Sequence, residues 1–135
     1  MSEESAVCVL LADRHLGLRE GVRGLLGTVF GTVVMVADAS SLQETARRLQ
    51  PDVAVVDLSL TRGSSLDWML ELHRSCPNVR LVVISVHDES AVLAAATAAG
   101  ADGYVLKRDI GTDLLPTIDT LLASDAVDGS RTQQR

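Results

Sequence analysis

The run Val53-Ala54-Val55-Val56-Asp57 constrains this chain most, because its apolar residues do not alternate with polar ones and end on a carboxylate. An unbroken apolar run of this length reads as a strand buried on both faces, which the centre of a parallel sheet requires. An acid at the carboxyl end of such a strand sits at the edge where open α/β sheets build their sites. Two other residues point to the same edge. Asp13 follows Val7-Cys8-Val9-Leu10-Leu11-Ala12, and Lys107 follows Tyr104-Val105-Leu106. Two acids and a lysine at three strand ends make a site suited to a metal ion and a phosphoryl group.

Strand-like and helix-like segments alternate along the chain. Val7–Leu11 predicts a strand, and Leu16–Leu26 a helix with Leu18, Val22, Leu25 and Leu26 on one face, although Gly17, Gly21, Gly24 and the following Gly27 weaken its propensity. Val33–Ala37 predicts a second strand. Ser41-Leu42-Gln43-Glu44 reads as a capping box opening a helix to Leu49, which Pro51 stops. After the strand Val53–Asp57 come a helix over Leu66–Ser75, a strand over Arg80–Ser85 and a helix over Ser90–Ala99 closed by Gly100. A strand at Gly103–Leu106 and a helix over Thr112–Ala123 complete the pattern. Strands separated by helices imply right-handed βαβ units and a parallel sheet covered on both faces.

The 135 residues predict one domain, residues 1–123, large enough for a core without disulfides, followed by a polar linker or disordered tail over 124–135. Aromatic residues are only 2%, so Val, Leu and Ala must do the packing. A formal charge of −6 disfavours direct contact with phosphate backbones or anionic lipid. The apolar runs are too short to span a bilayer, and the polar, acidic start does not read as a signal peptide, so a cytoplasmic protein is expected. Cys8 and Cys76 form no CxxC pair and have no histidine at ligand spacing, which predicts reduced thiols with packing roles. His15, His73 and His87 share no ligand spacing and are expected to be solvated, with His87 in a loop beside the site.

Five ordered blocks carry a family resemblance: Val9-Leu10-Leu11-Ala12-Asp13, Arg19-Glu20-Gly21, Pro51 through Leu58, Val82-Val83-Ile84-Ser85, and Gly100 through Lys107. Together they resemble the receiver domain of bacterial two-component response regulators, and are similar to its NarL/FixJ branch. The resemblance covers roughly residues 6–122. It implies a flavodoxin-like, doubly wound (βα)5 fold with strand order 2-1-3-4-5. It further implies that Asp57 is the phosphoacceptor for a sensor histidine kinase. Asp13, Asp57 and the backbone carbonyl of Ser59 would hold Mg²⁺, Lys107 would pair with the phosphoryl oxygens, and Ser85 and Tyr104 would respond to the phosphoryl group. Tyr104 reads equally well as a half-buried packing residue. Receivers of this branch normally precede a DNA-binding helix-turn-helix, so DNA contact would come only through an output domain that this chain lacks. A homodimer is a further implied partner.

The chain departs from the family pattern at the site. Arg14 stands where a second acid, commonly a direct metal ligand, follows Asp13. Its guanidinium either points to solvent and leaves a depleted site, or reaches Asp13 or Asp57 and substitutes for the metal's charge. A third reading keeps Mg²⁺ on Asp13, Asp57 and the Ser59 carbonyl. Since Mg²⁺ demands oxygen ligands, weak binding is expected. Thr61 replaces a proline and Ser65 a glycine, leaving Gly63 to supply backbone freedom. Val86 replaces a small residue and narrows access to Asp57.

Three function classes compete. The first is a phosphorylated receiver controlling a transcriptional output module or partner protein. The second is a phosphorylation-independent pseudo-receiver acting as an interaction or dimerisation module. The third, a phosphatase with an aspartate nucleophile, needs a second aspartate two residues on, where Ser59 stands. No glycine-rich fingerprint follows the first strand, which argues against nucleotide binding. The chain does not read as an enzyme.

Overall fold

The computed structural model describes residues 7–61 and 65–133, with side chains as far as residue 124. The chain runs β1 (Cys8–Ala12), α1 (Leu16–Gly27), β2 (Thr32–Val36), α2 (Ala39–Leu49), β3 (Val53–Asp57), α3 (Asp67–Ser75), β4 (Arg80–Ser85), α4 (Ser90–Ala99), β5 (Gly103–Leu106), a 3₁₀ turn at Lys107–Asp109 and α5 (Ile110–Gln133). The strands form one sheet in the order β2-β1-β3-β4-β5, with every neighbouring pair parallel. This is the doubly wound architecture expected from the alternating pattern.

Strand periodicity divides the core into two layers. Leu10, Ala12, Ala54, Val56, Leu81 and Val83 face the side covered by α2, α3 and α4, where Leu42, Met69, Leu72 and Ala96 meet them. Val9, Leu11, Val53, Val55, Val82 and Ile84 face the opposite side, against Val22, Leu26, Leu114 and Ile118 of α1 and α5. Each β3 residue is therefore buried whichever way it points. That explains the unbroken apolar run, since each such side chain gains about 1.5–3 kcal/mol from leaving water.

Several boundaries differ from the sequence expectation: β1 runs Cys8–Ala12, one residue later than expected, and α3 starts at Asp67. Helix α2 begins at Ala39, not at Ser41, because Asp38 takes the cap: its Oδ1 accepts a hydrogen bond from the Ser41 N–H at 2.8 Å. Ser41 is thus the partner of the cap. Strand β2 is shifted one residue toward the N-terminus, in register with β1 from Cys8↔Thr32 to Ala12↔Val36. Helix α5 starts at Ile110 and continues past Ala123 to Gln133. By contrast, β3, β4, α4 and β5 fall where the sequence places them. Gly63 lies outside the described residues.

Candidate functional site

The sheet order places β1 beside β3, so residues leaving these two strands emerge at adjacent points on the carboxyl edge. This is the topological switch point, where one crossover covers one face of the sheet and the next covers the other. Asp57 ends β3 and is 1% exposed, while Asp13 follows β1 and is fully buried. Lys107 leaves β5 at the first position of the 3₁₀ turn. Its Nζ reaches back across β4 to lie 3.2 Å from Asp57 Oδ2 and 3.7 Å from Asp13 Oδ2. The acid, acid and lysine anticipated at three strand ends therefore converge.

Local turns hold both carboxylates. The Ser59 N–H donates to Asp57 Oδ1 at 3.1 Å, and the Ser59 hydroxyl donates to Oδ2 at 2.9 Å. Asp13 uses the same device, with the His15 N–H donating to its Oδ1 at 2.8 Å. Such contacts two residues ahead are the usual habit of aspartate in turns. The Arg19 guanidinium donates to the Asp13 backbone carbonyl at 2.7 Å, tying α1 to the site. Asp13 Oδ2 differs from the other oxygens, because it is buried and accepts no hydrogen bond.

Ser85 ends β4, is 1% exposed, and accepts a 3.0 Å bond from the His87 N–H. Tyr104 on β5 is half-buried and donates its hydroxyl proton to the His87 carbonyl at 2.8 Å. The loop after β4 is thus pinned at one residue by both side chains. An open cavity of about 1060 Å³ spreads over this edge, lined among others by Asp57, Ser59, Thr61, Ser85, Val86 and Lys107. Val86 is 68% exposed and lines the same cavity as Asp57.

Arg14 is exposed and also lines the cavity. The basic groups within 4 Å of the Asp13 or Asp57 carboxylate oxygens, among the described residues, are those of Lys107 and His15. The sequence reading missed His15. Its imidazole is 56% exposed, yet Nδ1 lies 3.2 Å from Asp13 Oδ1 and 3.9 Å from Asp57 Oδ2. The clue available in sequence was its position two residues after a strand-end aspartate, where a turn folds it back. His73 is not simply solvated either, since its Nε2 lies 2.7 Å from the Gly100 carbonyl oxygen.

A divalent cation fits this donor set. Asp13, His15 and Asp57 each offer one ligand atom, and these atoms lie within 4.8 Å of one another. The buried Asp13 Oδ2 accepts no hydrogen bond and faces only the Lys107 ammonium at 3.7 Å, so it keeps a lone pair for a cation.

Comparison with known proteins bears on the family and the fold. The family model described as "Response regulator receiver domain" matches residues 9–119. The chain is 35% identical over 120 residues to the nitrate/nitrite response regulator protein NarP of Escherichia coli K12, covering 87% of this chain and 56% of that protein. It is 34% identical over 113 residues to the DNA-binding transcriptional activator DevR/DosR of Mycobacterium tuberculosis H37Rv, covering 80% of this chain and 51% of that one. The chain thus spans about half the length of these curated relatives. Among solved structures, a LuxR-family two-component response regulator from Aurantimonas sp. SI85-9A1 superposes with a TM-score of 0.81 at 30% identity, covering 89% of this chain and 87% of that one. The isolated receiver domain of RcsB from Salmonella enterica, determined with the phosphomimetic BeF₃⁻, gives a TM-score of 0.75 at 25% identity, covering 87% of this chain and 88% of that one. Among the described residues, no helix is long and apolar enough to cross a membrane.

Proposed function

The chain belongs to the response regulator receiver domain family, and on that premise we propose that Asp57 accepts a phosphoryl group from the phosphohistidine of a sensor histidine kinase. A carboxylate oxygen of Asp57 attacks phosphorus, the P–N bond breaks, and the kinase histidine leaves with the bonding pair. The observation that carries this reading is the burial of Asp57 within 3.2 Å of Lys107 Nζ. A nucleophile that must become a phosphorylated, more negative group needs a fixed counter-charge, and Lys107 is already in position.

The geometry also supports roles for the neighbouring residues. Ser85 accepts from the His87 N–H and Tyr104 donates to the His87 carbonyl, so the Ser85 hydroxyl proton is left to donate to a phosphoryl oxygen, and turning it there pulls on the loop before α4. Mg²⁺, held by Asp13, Asp57 and the Ser59 carbonyl, would supply positive charge to the phosphoryl oxygens. Because Arg14 occupies the place of a further acid, this binding is weak and phosphorylation correspondingly slowed. The exposed guanidinium supports a depleted acid set more than a direct replacement of the metal.

Residues 1–123 then form the signalling unit of a cytoplasmic regulator, with 124–135 as linker. Its output is a transcriptional module or a partner protein, reached through changes in self-association or docking. DevR/DosR is named as DNA-binding, and a structure of RcsB is described as bound to a promoter, which supports DNA contact through an output domain. A pseudo-receiver that works without phosphate is the second reading, favoured by Arg14 in the acidic pocket.

Titration with beryllium fluoride and Mg²⁺, followed by amide NMR, separates the two. Shifts at Asp57, Ser85, His87 and Lys107 are expected from a working receiver. A spectrum unchanged at these positions would favour the pseudo-receiver.

A further inference from the structure

We infer that His15 is a metal ligand, and that this site takes borderline transition-metal ions such as Co²⁺ or Ni²⁺ in preference to Mg²⁺. The inference deepens the receiver reading and rests on it only for the use made of the ion. Three observations carry it. His15 shares a cluster with Asp13 and Asp57 in which one ligand atom of each lies within 4.8 Å of the others, and its Nδ1 is 3.2 Å from Asp13 Oδ1 and 3.9 Å from Asp57 Oδ2. Asp13 Oδ2 is buried, accepts no hydrogen bond, and belongs to a side chain fully excluded from solvent. Arg14, the residue between Asp13 and His15, is exposed and brings no oxygen to the site.

The donor set decides the metal. An acid at position 14 would have made the site all oxygen, which is what Mg²⁺ requires. With arginine there, the donors are two carboxylates, the Ser59 carbonyl and an imidazole, and imidazole favours first-row transition metals. Metal–ligand bonds of about 2.0–2.2 Å allow two ligands to lie at most about 4.4 Å apart, so the cluster needs to contract by only a few tenths of an ångström. His15 can make that adjustment, since its imidazole is 56% exposed and turns without disturbing the core. Its backbone N–H is already anchored to Asp13 Oδ1, which keeps the ring on the correct side of the strand end. Lys107 stays on Asp57 Oδ2 and remains available to a phosphoryl oxygen.

Isothermal titration calorimetry with CoCl₂ and with MgCl₂ tests the assignment on the wild-type chain, His15→Ala and Asp57→Asn. Co²⁺ is expected to bind at least about tenfold tighter than Mg²⁺, and His15→Ala to weaken Co²⁺ about tenfold while changing Mg²⁺ less than about twofold. Asp57→Asn should weaken both ions. In NMR, substoichiometric Co²⁺ should broaden the His15 ring resonances before those of His73 and His87. Equal loss for both ions in His15→Ala, no loss of Co²⁺ affinity, or earlier broadening at another histidine would overturn it. Phosphoryl adducts formed from acetyl phosphate with each ion, read by intact mass, keep the two readings apart. An adduct with unchanged Co²⁺ binding in His15→Ala rejects only the ligand assignment. His15-dependent binding without any adduct leaves that assignment standing and rejects the receiver reading.

Discussion

Lys107 Nζ lies 3.2 Å from Asp57 Oδ2, so a lysine leaving β5 neutralises a carboxylate that ends β3, across the whole width of β4. The lysine side chain is 16% exposed and the aspartate 1%, so water screens the pair poorly. Lys107→Ala removes the one ammonium shared by two buried acids. Its expected cost is about 1–3 kcal/mol at neutral pH, read by urea unfolding, together with loss of the BeF₃⁻ response.

Asp13→Asn should act in the opposite direction on stability. Asp13 Oδ2 is a buried carboxylate oxygen without a donor, close to a second buried carboxylate. Removing its charge relieves a cost that the fold bears for the site, raising stability by about 1 kcal/mol while weakening divalent-ion binding. A lower unfolding midpoint in Asp13→Asn would show that the oxygen is better satisfied than its surroundings indicate.

Arg14→Asp restores an acid where a cation now stands. The new carboxylate should raise Mg²⁺ affinity by about tenfold or more, equivalent to about 1.4 kcal/mol, as measured by calorimetry. An unchanged Mg²⁺ affinity would mean that position 14 does not face the ion.

Gly100→Ala probes the turn between α4 and β5. Gly100 has a φ of +122°, and a Cβ there would come within 2.7 Å of the His73 ring, which itself contacts the Gly100 carbonyl. Backbone strain and the displaced imidazole together should cost about 1–3 kcal/mol in chemical denaturation.

Asp38 links helix α2 to pH. The hydrogen bond from the Ser41 N–H, assisted by the hydroxyls of Ser41 and Ser40, holds its carboxyl below the ordinary carboxylate range. A carboxyl lowered in the native state adds stability above its unfolded value and loses it as pH falls through the native one. Asp38→Ala should therefore lower the melting temperature at neutral pH but matter less in strong acid, whereas Asp38→Asn should retain much of the cap.

These particulars show what the sequence could convey. The apolar run Val53–Val56 is legible because β3 is buried on both faces, and Gly100 marks the end of α4 because its φ excludes other residues at little cost. Strand order came from the family resemblance, since periodicity alone does not say which strands are neighbours. The cap of α2 was misplaced because two capping residues lie three positions apart, and choosing between them depends on how Asp38 enters the helix. His15 escaped notice for a related reason. Its closeness to Asp13 arises from a turn, which leaves no periodic trace in the residues around it.

Intact-mass spectrometry after incubation with acetyl phosphate shows most directly whether Asp57 accepts a phosphoryl group. With divalent metal present, the account predicts one added phosphoryl group on the wild-type chain and none on Asp57→Ala. An unmodified wild-type chain under every metal condition, or an adduct that survives in Asp57→Ala, would contradict it.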